Sequence, residues 1–508
     1  MSQNAQHRKR SGVTRRSALA GVAAGLGTLG LAGTVAAPSR AAVSSTAASK
    51  AELAFLDRGL QHGAWAAQSS AGGRYVPPAS AWNRTGFTMP TFYEPGQYNA
   101  SLIAELGDTL WATAEAPTGG HMTSGPGSGP FLTAEQRANV GNLFSICLGD
   151  EEPYSSQIQT WTAQWAAKAR AEAPNALIHT NQYSGQWSDA QLRSYIAAVQ
   201  PDLLTWDDYY YSTSGNGRFN AGSVTPLYND TWRYRNLALG GLDGNGTSPL
   251  NFGQYTLGYC QGSSQAGTGP RVPSQSELWL PSYVTWTLGG KWLNLFRWES
   301  GADYWLLNDS TGALTYFVDW YGELNAAMRR LSPYLVRLRS VNAGLVHGQY
   351  NNGVPVSTPE SSIPAFSATT DAGTGVTGVR VSTVSPRNGG LPGDVLVGTF
   401  RPIPGLSTAQ LGSYIPKPTT PFFMVVNAMG VANDDIYSRS STGGESAANA
   451  QGITLTLNPS AAGSTPTGLR MLDPTTGAVS SPALSGSGSS YTTTVSIGAA
   501  AGCLFWWV

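Results

Sequence analysis

The stretch LFSICLGDEEPYSSQIQTWTAQWAAKARAEAPNALIHTNQYSGQWSDAQLRSYIAAVQPDLLTWDDYY, Leu143 to Tyr210, alternates three apolar, β-prone runs with two segments of helical period. The runs are LFSICLGDEEP (143–153), ALIHTNQY (176–183) and LLTWDDYY (203–210). Between them, SQIQTWTAQWAAKARAEA and SDAQLRSYIAAVQ space apolar residues three and four apart, each with a polar or small residue near its start suited to capping. Strands separated by crossovers of this length pair in parallel, and a helix in each crossover covers the sheet.

Working outward, five further strands are predicted: GLQHGAW (59–65), FTMPTFYE (87–94), LWATAEAP (110–117), YTLGYCQG (255–262) and LNLFRWES (293–300). SELWLPSYVTWTL supplies another helix. Eight strand and helix pairs between residues 50 and 340 match a (β/α)8 TIM barrel in order and length. No Gly-rich phosphate loop follows the first strand, which argues against an open nucleotide-binding sheet. After WYGELNAAMRRLSPYLVRLRS, an amphipathic helix ending near Ser340, the texture changes. Seven short runs, VTGVRVSTV, DVLVGTF, PFFMVVNA, GITLTLN, LRMLDPTTGAV, YTTTVSI and CLFWWV, are separated by turn residues and predict an all-β sandwich. The expected organisation is an export signal at 1–42, the barrel at 43–340, a linker at 341–360 and a β-sandwich accessory domain at 361–508.

Of 508 residues 41% are hydrophobic and only 12% charged, a composition of an ordered protein with a neutral, hydroxyl-rich surface. The N-terminus, HRKRSGVTRRSALAGVAAGLGTLGLAGTVAAPSRAA, places Arg15 and Arg16 before an Ala/Gly-rich run and small residues at Ala41 and Ala42. It resembles a twin-arginine export signal, which implies passage through the twin-arginine machinery and a secreted, extracellular bacterial product. The run is too weakly apolar to remain as a stable membrane span. Removing residues 1–42 takes away six basic residues and no acidic one, leaving a net charge of −6. Such a chain is a poor nucleic-acid binder, so its expected partner is neutral. Cys147, Cys260 and Cys503 lie far apart in apolar stretches and read as inert thiols. With no CxxC pair and no HExxH among five histidines, neither a metal nor a cofactor is expected.

In such a barrel the residues just past the carboxyl ends of the strands converge on one face. Here they are Tyr93 and Glu94, Glu115, Asp150 to Glu152, Asn181 to Tyr183, Asp207 to Tyr209, Gln261, and Arg297 to Glu299. Carboxylates, amides and aromatics dominate, an inventory suited to glycoside cleavage. That reaction needs one carboxylic acid to protonate the leaving oxygen and one carboxylate to attack or to activate water. Amides and tyrosines can hold sugar hydroxyls, and flat rings can cover a sugar face. On this basis Tyr93, Glu94, Glu115, Asn181, Gln182, Tyr183, Trp206, Tyr209, Gln261 and Trp298 are the expected substrate contacts.

Glu152-Pro153 after the fourth strand resembles the Asn-Glu-Pro of clan A glycoside hydrolases, with Glu151 in place of the asparagine. The region from SELWLPSYVTWTL to Trp320 is similar to the last helix and strand of barrel glycosidases, and the β-rich tail to their accessory domain. The resemblance implies that Glu152 is the general acid/base. It also implies a nucleophilic glutamate at the end of strand seven, where YTLGYCQG offers Gln261. An amide cannot form the glycosyl-enzyme ester. Three alternatives follow, in order: Asp207 or Asp208 as in alpha-galactosidase-like barrels, then Glu299, then the substrate's own acetamido group, since Asp150-x-Glu152 resembles the end of the chitinase motif. Pro153 restricts Glu152 to extended backbone. Asp150 or Glu151 would raise its pKa by repulsion or cap the following helix.

The expectation is a secreted glycoside hydrolase of a neutral poly- or oligosaccharide, with Glu152, Asp207, Asp208 and Glu299 as catalytic candidates. Its rivals are a non-catalytic carbohydrate-binding protein on a barrel scaffold and an esterase or peptidase. The last lacks a G-x-S-x-G elbow.

Overall fold

The computed structural model describes residues 47–65, 77–93, 97–107, 109–211, 225–260, 271–299, 305–349, 361–368 and 372–508. The export signal expected at 1–42, Glu94, Gln261 and residues 350–360 lie outside the described residues. Eight parallel strands close into a barrel in sequence order. They are β1 (Gln61–Trp65), β2 (Met89–Tyr93), β3 (Trp111–Ala116), β4 (Leu143–Asp150), β5 (Leu177–Tyr183), β6 (Leu203–Asp207), β7 (Asn251–Leu257) and β8 (Trp292–Phe296). Helices α1 (Lys50–Arg58), α2 (Ala79–Thr85), α3 (Ala100–Glu105), α4 (Ala134–Ala138), α5 (Ser156–Glu172), α6 (Asp189–Val199), α7 (Thr225–Gly240), α8 (Gln275–Leu288) and α9 (Phe317–Leu335) run outside it.

Local signals explain these elements. The Ser155 side chain accepts from the Ile158 amide at the start of α5, and Ser188 with Gln191 forms a capping box on α6. Helix α5 buries Ile158, Thr162, Ala166 and Ala169, one stripe at four-, four- and three-residue spacing. Helix α8 is different, because every one of its residues is buried. It lies between β7 and the C-terminal strands β9 (Leu338–Val346), β11 (Val395–Pro402) and β12 (Phe422–Asn427). Full burial of each of its leucines contributes about 1.5–3 kcal/mol. The helix backbone comes so close that a Cβ on Gly398 of β11 would fall 2.0 Å from the Thr287 carbonyl oxygen. Only glycine fits there.

The C-terminal region is two antiparallel sheets. Four strands, β10 (Val376–Thr383), β13 (Gln451–Leu457), β17 (Ser490–Ile497) and β16 (Ser485–Ser487), form one. The other takes β15 (Val479–Ser480), β14 (Leu469–Leu472), β18 (Gly502–Trp507), β12, β11 and β9.

Two boundaries differ from the sequence expectation. The last barrel helix ends at Leu335, not near Ser340, and LRSVNAGLV enters β9 along β11. Pairing with a full-length neighbouring strand outweighs continuation of a helix that already carries Pro333 in its last turn. The first residues of the stretch expected as a linker are therefore strand. Strand β7 runs from Asn251 to Leu257, four residues earlier than expected. Its glycine and amides look loop-like, but Gly253 is needed where a Cβ would meet the Trp292 carbonyl oxygen at 1.9 Å. The Gln254 amide is buried and donates to the Pro281 carbonyl at 3.1 Å. Gln261 thus falls four residues beyond the strand end it was expected to occupy.

Candidate active site

Two interruptions of the barrel pairing turn the carboxylates toward one another. Register shifts lie between Thr113 and Ala116 on β3 and between Cys147 and Asp150 on β4. Such bulges re-aim side chains at barrel rims. Glu115 (φ 52°) and Glu151 (φ 47°) both occupy the left-handed region, and Gly149 (φ 74°) precedes Glu151 at the end of β4. Left-handed non-glycine residues carry strain of order 1–3 kcal/mol and cluster at functional sites.

At the centre is Asn181, on β5 between β4 and β6. Its Nδ2 donates to Asp150 Oδ1 at 2.8 Å and to Asp207 Oδ1 at 2.9 Å. These two oxygens are therefore no more than about 5.7 Å apart. The Glu151 amide donates to the Asn181 carbonyl oxygen at 2.9 Å, which ties the β4 exit to the same residue. Burial pushes the Asp150 carboxyl well above the usual range, and the charges of Asp207, Glu115 and Glu151 push the same way against the Asn181 hydrogen bond. Glu115 is raised to about 7, first by burial and also by Glu151 and Glu152, while Tyr93 and Arg297 pull it back. The site holds protons that ordinary carboxyls release.

Aromatic rings form the facing wall. Trp65 stacks on Tyr93 at 5.7 Å and meets Phe296 edge-on at 5.1 Å, and Tyr209 lies edge-on to Tyr259 at 5.1 Å. Arg297 pairs with Glu299, and its guanidinium carbon lies 4.9 Å from the Trp305 ring centre. Among the described residues no group of three or more His, Cys, Asp or Glu could hold a metal ion, the three cysteines are buried and unbridged, and no helix is long and apolar enough to cross a membrane.

The expected site residues divide into two sets. Glu115, Asn181, Asp207, Tyr93 and Tyr209 come together as described. Tyr183, two residues beyond Asn181 on the same face of β5, stays half-buried at the mouth. Asp208 is half-buried, its Oδ1 accepting from the Tyr209 amide at 2.8 Å. Glu299 is engaged by Arg297, with burial raising its carboxyl against that pairing.

Three expected contacts do not face the cleft; Gln182 and Trp206 do not because neighbouring strand residues point to opposite sides of a sheet, and Trp298 lies beyond the end of β8. Gln182 is buried, with its Nε2 on Thr180 Oγ1 at 2.7 Å. Trp206 is fully buried against Tyr234 of α7 at 4.5 Å. Trp298 is fully buried, stacked on Trp82 at 5.7 Å with its Nε1 donating to Asn308 Oδ1 at 2.6 Å.

Glu152, the expected acid/base, is only 1% exposed. Its Oε1 accepts from the Met122 amide at 2.6 Å, and its Oε2 lies 3.5 Å from His121 Nδ1. Asp150 and Glu151, read from the sequence as neighbours of Glu152, occupy the centre instead. Arg297 was read from the sequence only as one of the residues past the end of the eighth strand. The available signal was the spacing of Asp150, Asn181 and Asp207, one at or near the end of each of three successive strands.

No protein-family model and no curated protein sequence matches the chain. Solved structures are similar at low identity. One is a β-galactosidase from the psychrophilic Marinomonas ef1, with 11% identity and a TM-score of 0.36 over 54% of this chain and 60% of that one. A GH30 endoxylanase from Clostridium papyrosolvens has 9% identity and a TM-score of 0.35 over 92% and 98%. A member of glycoside hydrolase family 5 from Bacteroides vulgatus has 7% identity and a TM-score of 0.46 over 88% and 89%. This chain spans 60% of the length of the Marinomonas protein. Chemistry has to be read from the residues of this chain.

Proposed function

We propose that the protein is a glycoside hydrolase acting on a neutral saccharide, with Asp150 and Asp207 as its working carboxyls. The observation that carries this reading is the single Asn181 nitrogen shared by both groups. It holds them near the ~5–5.5 Å separation of retaining enzymes and short of the ~6.5–9.5 Å that leaves room for an inverting water.

Asp150, which burial and three neighbouring acids keep protonated, donates its proton to the departing glycosidic oxygen. The Asp207 carboxylate attacks the anomeric carbon, and the bond to the leaving oxygen breaks as the glycosyl ester forms. Asp150, now ionised, takes a proton from water, whose oxygen displaces Asp207 and releases the sugar. Both Asn181 hydrogens lie on Oδ1 atoms, so the acid's proton sits on Asp150 Oδ2. The partly exposed rings of Tyr93, Tyr209 and Phe296 offer apolar faces to the ring being cleaved.

The N-terminal segment adds to this reading a protein exported through the twin-arginine machinery and working outside the cell. N-terminal sequencing of material from the culture medium checks it, with a start close to Ala42 expected. The catalytic reading is tested by assaying wild type, Asp150→Asn and Asp207→Asn on aryl glycosides and neutral polysaccharides. Product stereochemistry is followed by NMR. Retention in wild type and loss of turnover in both variants are expected. Saccharide binding by calorimetry with no turnover would instead fit a non-catalytic binding protein.

A further inference from the structure

The connection between β12 and β13, residues 428–450, has its ends in the C-terminal sheets and its contacts on the barrel. It leaves β12 against α7, where the Tyr228 hydroxyl donates to the Ala428 carbonyl oxygen at 2.8 Å. It then crosses the amino-terminal end of α8. The Val431 amide donates to Ser276 Oγ at 3.0 Å, Ser274 Oγ donates to the Val431 carbonyl oxygen at 2.6 Å, and the Ser276 amide donates to the Gly444 carbonyl oxygen at 3.0 Å. In a (β/α)8 barrel the helices begin at the face where the preceding strands end, which is the face that carries the site. A loop of the C-terminal region is therefore fixed at the mouth.

Its tip is joined to that mouth by two backbone hydrogen bonds in series. The Val272 amide donates to the Ile436 carbonyl oxygen at 3.1 Å, and the neighbouring Arg271 amide donates the other way, to the Tyr211 carbonyl oxygen at 2.6 Å. Three segments lie side by side: Tyr211 after β6, Arg271 and Val272 before α8, and Ile436 of the loop. Tyr211 follows Tyr209 of the aromatic wall by two residues. Backbones paired in this way are about 4.8 Å apart, which puts the tip roughly 10 Å beyond Tyr211, a distance spanned by a chain of sugars and not by a single ring.

Tyr437 stands next to Ile436 at this tip and is 38% exposed. Its amide donates to Asp435 Oδ1 and the Asp435 amide to Ser441 Oγ, both at 2.8 Å, so the turn that carries the ring is held by its own hydrogen bonds. Among the described residues only one other aromatic side chain, Tyr414, is as exposed. That ring is occupied, with Arg337 over it at 5.1 Å and Tyr334 edge-on at 5.3 Å, near the carboxyl-terminal end of α9 and so at the far end of the barrel. No ring packs on Tyr437 and no cation covers it among the described residues.

We propose that Tyr437 is the platform of an outer subsite, where it covers the face of a sugar unit remote from the bond being cleaved. The substrate is then a saccharide chain, and the C-terminal region completes the cleft that the barrel begins. Stacking on a sugar face gives an exposed phenol ring the apolar partner it lacks. The inference rests on the catalytic reading for the position of the cleaved bond alone, because the outer subsite is measurable as binding.

The test uses the full chain and neutral gluco-, xylo- and galacto-oligosaccharides from disaccharide to hexasaccharide. Binding is measured by calorimetry in an Asp207→Asn background, which keeps bound chains intact. Affinity is expected to rise with chain length, and Tyr437→Ala to lower the ratio of hexasaccharide to disaccharide affinity roughly three- to tenfold. Tyr437→Trp should preserve the ratio, and so should Tyr414→Ala at the opposite end. An unchanged ratio in Tyr437→Ala overturns the proposal, as does a fall of the same size in Tyr414→Ala or the absence of binding at every length. Turnover of aryl glycosides by wild type is assayed separately. Length-dependent binding that needs Tyr437 in a protein without turnover supports the subsite while sinking the catalytic reading. Turnover with binding indifferent to Tyr437 does the reverse.

Discussion

The two ends of the barrel bury carboxylates by opposite rules. At the amino-terminal end, Glu52 of α1 receives Arg339 Nε at 2.8 Å and Nη2 at 2.7 Å, with Lys291 nearby at the start of β8. Burial opposes ionisation of Glu52, but the Arg339 hydrogen bonds, the charges of Lys291 and Arg339 and the Ser49 amide outweigh it, and the carboxyl falls below its usual range. Lys291 is itself pushed down to about 8 by burial, despite Glu52. At the carboxyl-terminal end, Glu115, Asp150, Glu151 and Asp207 crowd together around Asn181, and burial raises Glu115 and Asp150. Burial opposes ionisation at both ends, yet it leaves a structural ion at one and proton-holding acids at the other. The difference lies in what faces each group.

Breaking the working end should have the largest effect. Asp150→Asn and Asp207→Asn are each expected to lower kcat by roughly 10²–10⁴ on any substrate found, measured under single-turnover conditions. Breaking the structural end should instead act on folding. Glu52→Gln leaves the Arg339 guanidinium buried without its carboxylate, at a cost of about 3–5 kcal/mol in urea unfolding at neutral pH. The sign with pH is fixed by the depressed folded-state value. Wild type loses this contribution as pH falls through that value, so the two unfolding curves should converge in acid. A gap that persists there would mean packing, not ionisation, is what Glu52 supplies.

The opposite sign is expected at Glu115. Its folded-state value of about 7 exceeds the ordinary 4.5, so wild-type stability falls as pH rises between these values and is level above them. Glu115→Gln removes that burden. It should stabilise the protein by about 1–3 kcal/mol in mildly alkaline solution and by almost nothing in acid. Equal stability of the two proteins at alkaline pH would put Glu115 in the same class as Glu52.

The barrel was legible because its alternation of strand and helix is written in every segment from Leu143 to Tyr210. Face assignment along regular strands was legible too. Period two puts Asp207 inside and Trp206 outside, a rule that would have removed Trp206 and Gln182 from the expected contacts. What failed was counting through β4. The register shift between Cys147 and Asp150 breaks the alternation, so Cys147 and Asp150 become electrostatic neighbours although three residues apart. From the sequence, DEEP offered three acids and a proline, and the motif favoured the third. The backbone turned the first inward and sent the third to Met122. No residue in the run announces that bulge except Gly149.

The cost expected of breaking the Glu52–Arg339 pair follows from its burial, and one further pair isolates that factor. Arg84 of α2 donates from Nε and Nη2 to Asp319 of α9, each at 2.6 Å, a bidentate geometry as good as that of Glu52 with Arg339. Its side chains are 51% and 46% exposed, against 6% for both members of the buried pair. In water the attraction is weakened by the solvent and offset by the entropy of fixing two long side chains. Arg84→Ala is accordingly expected to leave the unfolding midpoint unchanged within error, in low salt and in high. A loss comparable to that of Glu52→Gln would show that geometry, with or without burial, sets the value of such pairs.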